Sequence, residues 1–159
     1  MFENYKMIGD APFLSTDEEV DAAEQQLGIA FPSGYRAYVS TFGEGVLGGC
    51  FVRIYPPHRI LRDLQMWRER IDAFWLWDDG HDVLTKSDAL LSVIIGDTVN
   101  GDELVVQPEN PERVLVLPRY SEKIFVAGDG LPSAIEWLCD SGELTEPFAD
   151  RDFEPFTTR

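Results

Sequence analysis

Apolar residues recur along this chain at helical spacing in its first half and at strand spacing in its second. Between Thr16 and Leu27, the positions Val20, Ala23 and Leu27 fall three or four apart, so one narrow apolar stripe faces a core while Asp17, Glu18, Asp21 and Gln25 stay in water. Ser15 with Glu18, or Thr16 with Glu19, has the spacing in which a hydroxyl and a carboxylate satisfy the free amides of a helix start, and Gly28 is its stop. Pro32, whose fixed φ suits a first helical turn, opens a second helix with Tyr35, Tyr38, Val39 and Phe42 on one face and Gly43 as terminator. Residues 50–55 read as a strand ended by Pro56 and Pro57. From Arg59 onward, Ile60, Leu61, Leu64, Trp67, Ile71 and Phe74 mark the apolar face of a third helix that ends by Gly80.

Residues 90–95 read as a buried strand, and Asn100-Gly101 is a two-residue hairpin turn, since both residues accept positive φ; residues 103–107 are then the partner strand. Further strands fall at 113–117, after a turn at 108–111, and at 124–127. Gly130-Leu131-Pro132-Ser133 launches a last helix that Gly142 caps. Strands that follow one another through short turns make a largely antiparallel sheet, so the expected fold is α+β, a single domain with a central sheet flanked by helices. A chain of 159 residues suits one core. The main domain is expected over residues 15–142, with an N-terminal segment at 1–14. The C-terminal tail at 143–159 is loosely held, laid on the body by Phe148, Phe153 and Phe156.

Several of these stretches resemble a known family in its own order. Glu18, Glu19, Glu24, Leu27, Gly28, Ile29, Phe31, Pro32, Tyr35, Tyr38, Phe42, Gly43, Glu44 and Gly45 follow the amino-terminal pattern of the SUKH superfamily: an acidic helix, a hydrophobic-Gly-hydrophobic-x-hydrophobic-Pro step, then a tyrosine-bearing helix and a glycine loop. Residues 94–104 resemble its central hairpin, and residues 133–138 its late helix. The departure is Phe42-Gly43-Glu44-Gly45, where many members carry Asn-Gly. That superfamily contains Smi/Knr-type cell-wall regulators of fungi and many bacterial immunity proteins of polymorphic toxin systems. The resemblance implies a central sheet flanked by helices, with an open face that binds other proteins.

Charge narrows the partner. Twenty-nine acidic side chains against thirteen basic ones leave a net charge of -16, spread over the whole length. Nucleic acid and anionic membranes need clusters of Lys and Arg, and the densest basic stretch, Arg59, Arg62, Arg68 and Arg70, is interrupted by Asp63, Glu69 and Asp72. A basic protein is the partner such a surface favours, although acidity also serves solubility alone. The opening residues show no basic leader followed by an apolar stretch, and no run of about eighteen apolar residues occurs, so a soluble cytoplasmic protein is expected. The cysteines, Cys50 and Cys139, read as two core thiols in a reducing compartment.

Motifs for chemistry are missing from the sequence. It carries no phosphate-binding glycine loop, no Gly-x-Ser-x-Gly elbow and no spaced Cys/His set around His58 and His81, so neither cofactor nor metal is expected. Asp97, Asp102 and Glu103 lack the alternating spacing of a calcium loop. Paired carboxylates for a hydrolase are available in so acidic a chain, but no spacing selects a pair. Two patches point to binding. Trp75, Trp77, Asp78, Asp79 and Asp82 combine aromatic anchors with an acidic rim, although Trp is often buried and Asp-Asp-Gly also ends helices. Asp97, Asp102 and Glu103, with Glu44 from the glycine loop, form a second negative patch if those loops meet at one end of the sheet. The expectation is a non-enzymatic protein-binding domain. The resemblance implies an immunity protein for a toxin domain, and the charge implies that this domain is basic, such as a nuclease; a regulatory or scaffold module is the alternative, with a carboxylate hydrolase behind both.

Overall fold

The computed structural model describes residues 1–158. Its first helix, α1 (Asp17–Leu27), starts where the capping pattern places it: the Thr16 hydroxyl accepts a hydrogen bond from the Glu19 amide at 3.1 Å, and Gly28 ends the helix at φ 66°. Pro32 lies in the turn ahead of the second helix instead of inside it. That helix, α2 (Tyr35–Thr41), begins after Gly34, whose φ of 88° reverses the chain. Glu24 ties the two together, one carboxylate oxygen accepting from the Phe31 amide at 2.8 Å and the other from Arg36 at 3.1 Å.

Eight strands form one sheet in the order β1-β8-β2-β3-β4-β5-β6-β7. They are β1 (Lys6–Met7), β2 (Gly45–Leu47), β3 (Val52–Ile54), β4 (Val93–Thr98), β5 (Glu103–Gln107), β6 (Asn110–Leu117), β7 (Phe125–Asp129) and β8 (Asp152–Pro155). Every neighbouring pair is antiparallel except β1 with β8. The segment expected as a loose tail therefore supplies a strand, wedged between the N-terminal strand and β2. Its Phe153 is fully buried against Tyr38 and Phe42, with ring centroids 5.9 and 5.4 Å away, and Phe2 and Tyr5 complete the cluster.

Helix α3 (Pro57–Ala73) crosses the sheet beside β4, burying Ile60, Leu64, Trp67 and Ile71. It stops at Ala73, well before Gly80, and Phe74, placed by periodicity on the buried face, turns out 72% exposed because the backbone leaves helical geometry at that residue. A short 3-10 turn over Asp78–Gly80 and a one-turn helix α4 (Lys86–Ala89) follow. The strand expected at residues 90–95 begins only at Val93, with Leu91 in water. Helix α5 (Leu131–Asp140) packs on β7. Cys139 is buried as expected, whereas Cys50 is exposed in the turn before β3, at φ 69°.

Two details of the sheet bear on the site. Every residue of β5 is buried, and successive side chains of a strand point to opposite faces, so the sheet is covered on both sides there. The hairpin between β4 and β5 also differs from expectation: its loop is three residues, 99–101, closed by the Thr98 amide on the Asp102 carbonyl at 2.9 Å, with Gly101 alone at positive φ (94°). A two-residue turn would oppose Asp97 to Leu104. The longer loop opposes Asp97 to Glu103 and brings both carboxylates to one face.

Candidate partner-binding face

The register aligns a row of charged residues across three strands: Arg53 on β3 pairs with Asp97 on β4, and Asp97 with Glu103 on β5. Arg53 grips Asp97 through two hydrogen bonds, at 2.7 and 2.8 Å, and the Tyr55 hydroxyl donates a third at 2.7 Å. Glu103 sits under α3, where the Trp67 indole donates to Oε2 at 2.9 Å and Arg70 donates to the same oxygen. Burial raises the Glu103 pKa above the ordinary carboxylate range, with Arg70 and Trp67 pulling the other way.

Along this row, the flank of α3 and the sheet leave a groove made of two adjoining hollows. One, of 310 Å³, lies between Phe74, Leu76 and Trp77 on one side and Gly101, Glu103 and Arg119 on the other. The second, of 370 Å³, runs over Tyr55 and Asp97 toward Arg59 and Met66, and both share Arg70 and Glu103. The two sequence patches thus meet, since the Trp77 segment and the hairpin line one hollow. Arginines from β3, α3 and the loop after β6 interleave with the acids there.

The individual candidates divide by burial. Trp77 forms a wall from inside, its indole donating to the Pro118 carbonyl at 2.7 Å. Trp75 is half-buried, packed edge-on to Trp77 at 5.2 Å, and its indole donates to Asp78 at 2.9 Å. Asp78, Asp79 and Asp82 are exposed, and none takes part in an ion pair among the described residues. Asp102 is 2% exposed and works for the hairpin, accepting from the Thr98 hydroxyl at 2.6 Å and from the Arg119 amide at 2.9 Å. Glu44 stands apart from the groove. It is buried, with its carboxylate 2.8 Å from His58 Nε2 in the first turn of α3.

The groove's exposed apolar residues, Met66 (71%), Phe74 (72%) and Leu76 (40%), and its arginines Arg59, Arg70 and Arg119 are not among the residues the sequence marks for binding. The run Phe74-Trp75-Leu76-Trp77, four large apolar residues in succession just past a helix, carried the signal: no single helix face can bury all four. Contiguous exposed apolar surface beside polar residues marks an interaction site. Among the described residues, no group of three or more His, Cys, Asp or Glu is arranged to hold a metal ion, and no helix is long and apolar enough to cross a membrane.

The family model for the SMI1 / KNR4 family (SUKH-1) matches residues 14–133, about three quarters of the chain. No curated protein sequence matches it.

Proposed function

The chain belongs to the SMI1/KNR4 family (SUKH-1), and on that premise we propose that it is a non-enzymatic binding protein of the cytoplasm, an immunity protein that covers and neutralises a basic toxin domain such as a nuclease. The observation that carries this reading is the loop after α3. Exposed Phe74 and Leu76 stand at the lip of the 310 Å³ hollow, and Asp72, Asp78, Asp79 and Asp82 are solvated around them. Apolar anchors that fill a hollow supply affinity, whereas an acidic rim speeds encounter with a cationic partner and rejects anionic ones. An enzyme that grips nucleic acid carries the complementary positive surface, and a net charge of -16 favours meeting it.

The test is protection. The reading frames that neighbour this one in its genome are searched for a toxic domain, which is expressed with and without the chain while growth, complex stoichiometry and salt dependence of binding are measured; the lack of any toxin-coding neighbour counts against the reading. Rescue through a near-stoichiometric complex that weakens at high salt is the expected outcome. Capture of several unrelated partners without rescue points instead to the regulatory or scaffold role known in the family, and turnover lost on a single carboxylate substitution points to a hydrolase.

A further inference from the structure

We propose that the groove between α3 and the Arg53–Asp97–Glu103 row takes an extended apolar segment of a partner protein that carries carboxylate side chains. The inference rests on the reading of the chain as a protein-binding domain, and it names what one site on it accepts.

Charge accounting within the groove carries it. Asp97 is held by Arg53, and Glu103 by Arg70 and Trp67. Asp63, at the far end, is chelated by Arg62 at 2.8 and 3.0 Å. Each acid facing the groove therefore already has a guanidinium, and the arginines outnumber the acids. Arg119 has no side-chain hydrogen bond or ion pair among the described residues. Arg59 shares Asp63 with Arg62, its Nε lying 3.6 Å from Oδ2, and its guanidinium sits 3.8 Å over the Tyr55 ring. Five guanidinium groups, of Arg53, Arg59, Arg62, Arg70 and Arg119, thus stand against the three carboxylates of Asp63, Asp97 and Glu103, in a protein that is strongly acidic elsewhere.

Met66 and Phe74 lie along the same flank of α3 as Arg70, each exposed, and Leu76 follows. Aromatic residues, Met and Arg are the types enriched in the cores of protein interfaces. From Arg59 to Phe74 the helix rises about 22 Å, which accommodates roughly six or seven extended residues. A cationic segment would face the unpaired Arg119 and the excess positive charge around Asp63 and find every carboxylate taken, whereas a segment alternating apolar and acidic residues complements both. The outer acids Asp78, Asp79 and Asp82 remain available to the basic body of the same partner.

A phage-displayed library of random peptides, selected on the full chain, tests the groove directly. Enriched peptides should combine Leu or Phe with Asp or Glu, and their binding by fluorescence anisotropy should fall about tenfold or more in the double variant Arg59→Gln, Arg119→Gln. The double variant gives up the Arg59–Asp63 ion pair, so Arg119→Gln alone is the stability control: it should melt at the wild-type temperature and still weaken the peptides; Met66→Gln, at an exposed position, is a further variant that should weaken them. Enrichment of Lys- and Arg-rich peptides, no enrichment, or binding indifferent to both variants would overturn the proposal. Protection against the toxin measured alongside separates the two ideas: rescue with basic peptides selected leaves the immunity reading standing and removes only this one.

Discussion

Glu103 shows how a single buried carboxylate links the stability of this protein to pH. Its folded-state pKa is raised, chiefly by burial, so the native state holds a proton more readily than the unfolded chain. Where the native state binds more protons, stability falls as pH rises; the contribution of this group is largest below about pH 4.5 and is lost as pH climbs through the raised pKa. Glu103→Gln keeps a neutral acceptor for the Trp67 indole and releases Arg70, which is half exposed, to water. The stability of wild type relative to Glu103→Gln, from urea midpoints, should therefore decline with rising pH above that point, leaving the variant equal to wild type within about 1 kcal/mol, or more stable, at neutral pH. A difference that is flat with pH would mean that the carboxylate is not desolvated. The sequence selected Glu103 for its charge, but its burial depends on Trp67 and Arg70, more than thirty residues away, and no local pattern announces that.

Among the elements, β8 is the one whose importance the sequence concealed. It is four residues long, ends in proline and pairs with strands at the opposite end of the chain, so neither periodicity nor a hairpin signal marks it. Phe153→Ala should destabilise the protein by about 3–5 kcal/mol, measured by urea unfolding, because the ring fills the space between Tyr38 and Phe42. A cost under about 1 kcal/mol would make the segment peripheral. The helices were easier to read. Thr16 and Gly28 bound α1 by chemistry that acts within four residues, and the face of α3 from Ile60 to Ile71 follows from its spacing alone. The hairpin was legible as a hairpin but not in its register, because Asn100-Gly101 suits a turn of two residues as well as a loop of three. That one-residue difference decides whether Asp97 and Glu103 share a face.

At the scale of the whole molecule, the net charge governs approach and the groove governs fit. Changing Asp78, Asp79 and Asp82 together to asparagine should slow association with the basic partner by about threefold to tenfold at low salt, little at high salt, with the melting temperature nearly unchanged. An unaltered association rate accompanied by a large loss of stability would show that these acids serve the fold. The sequence by itself determined the α+β class, the caps of α1, the antiparallel run from β4 to β7, the acidity and the family, since each depends on composition or on residues a few positions apart. Which carboxylates are free was decided only in three dimensions. Glu44 lies against His58, Asp97 is held by Arg53, Asp102 turns into its own hairpin, and Trp77 bonds to Pro118, while Asp78, Asp79 and Asp82 stay in water. Most of those pairings join residues distant in the chain, and the groove depends on the register of β4 against β5 and on where α3 stops, which packing fixes and local sequence does not.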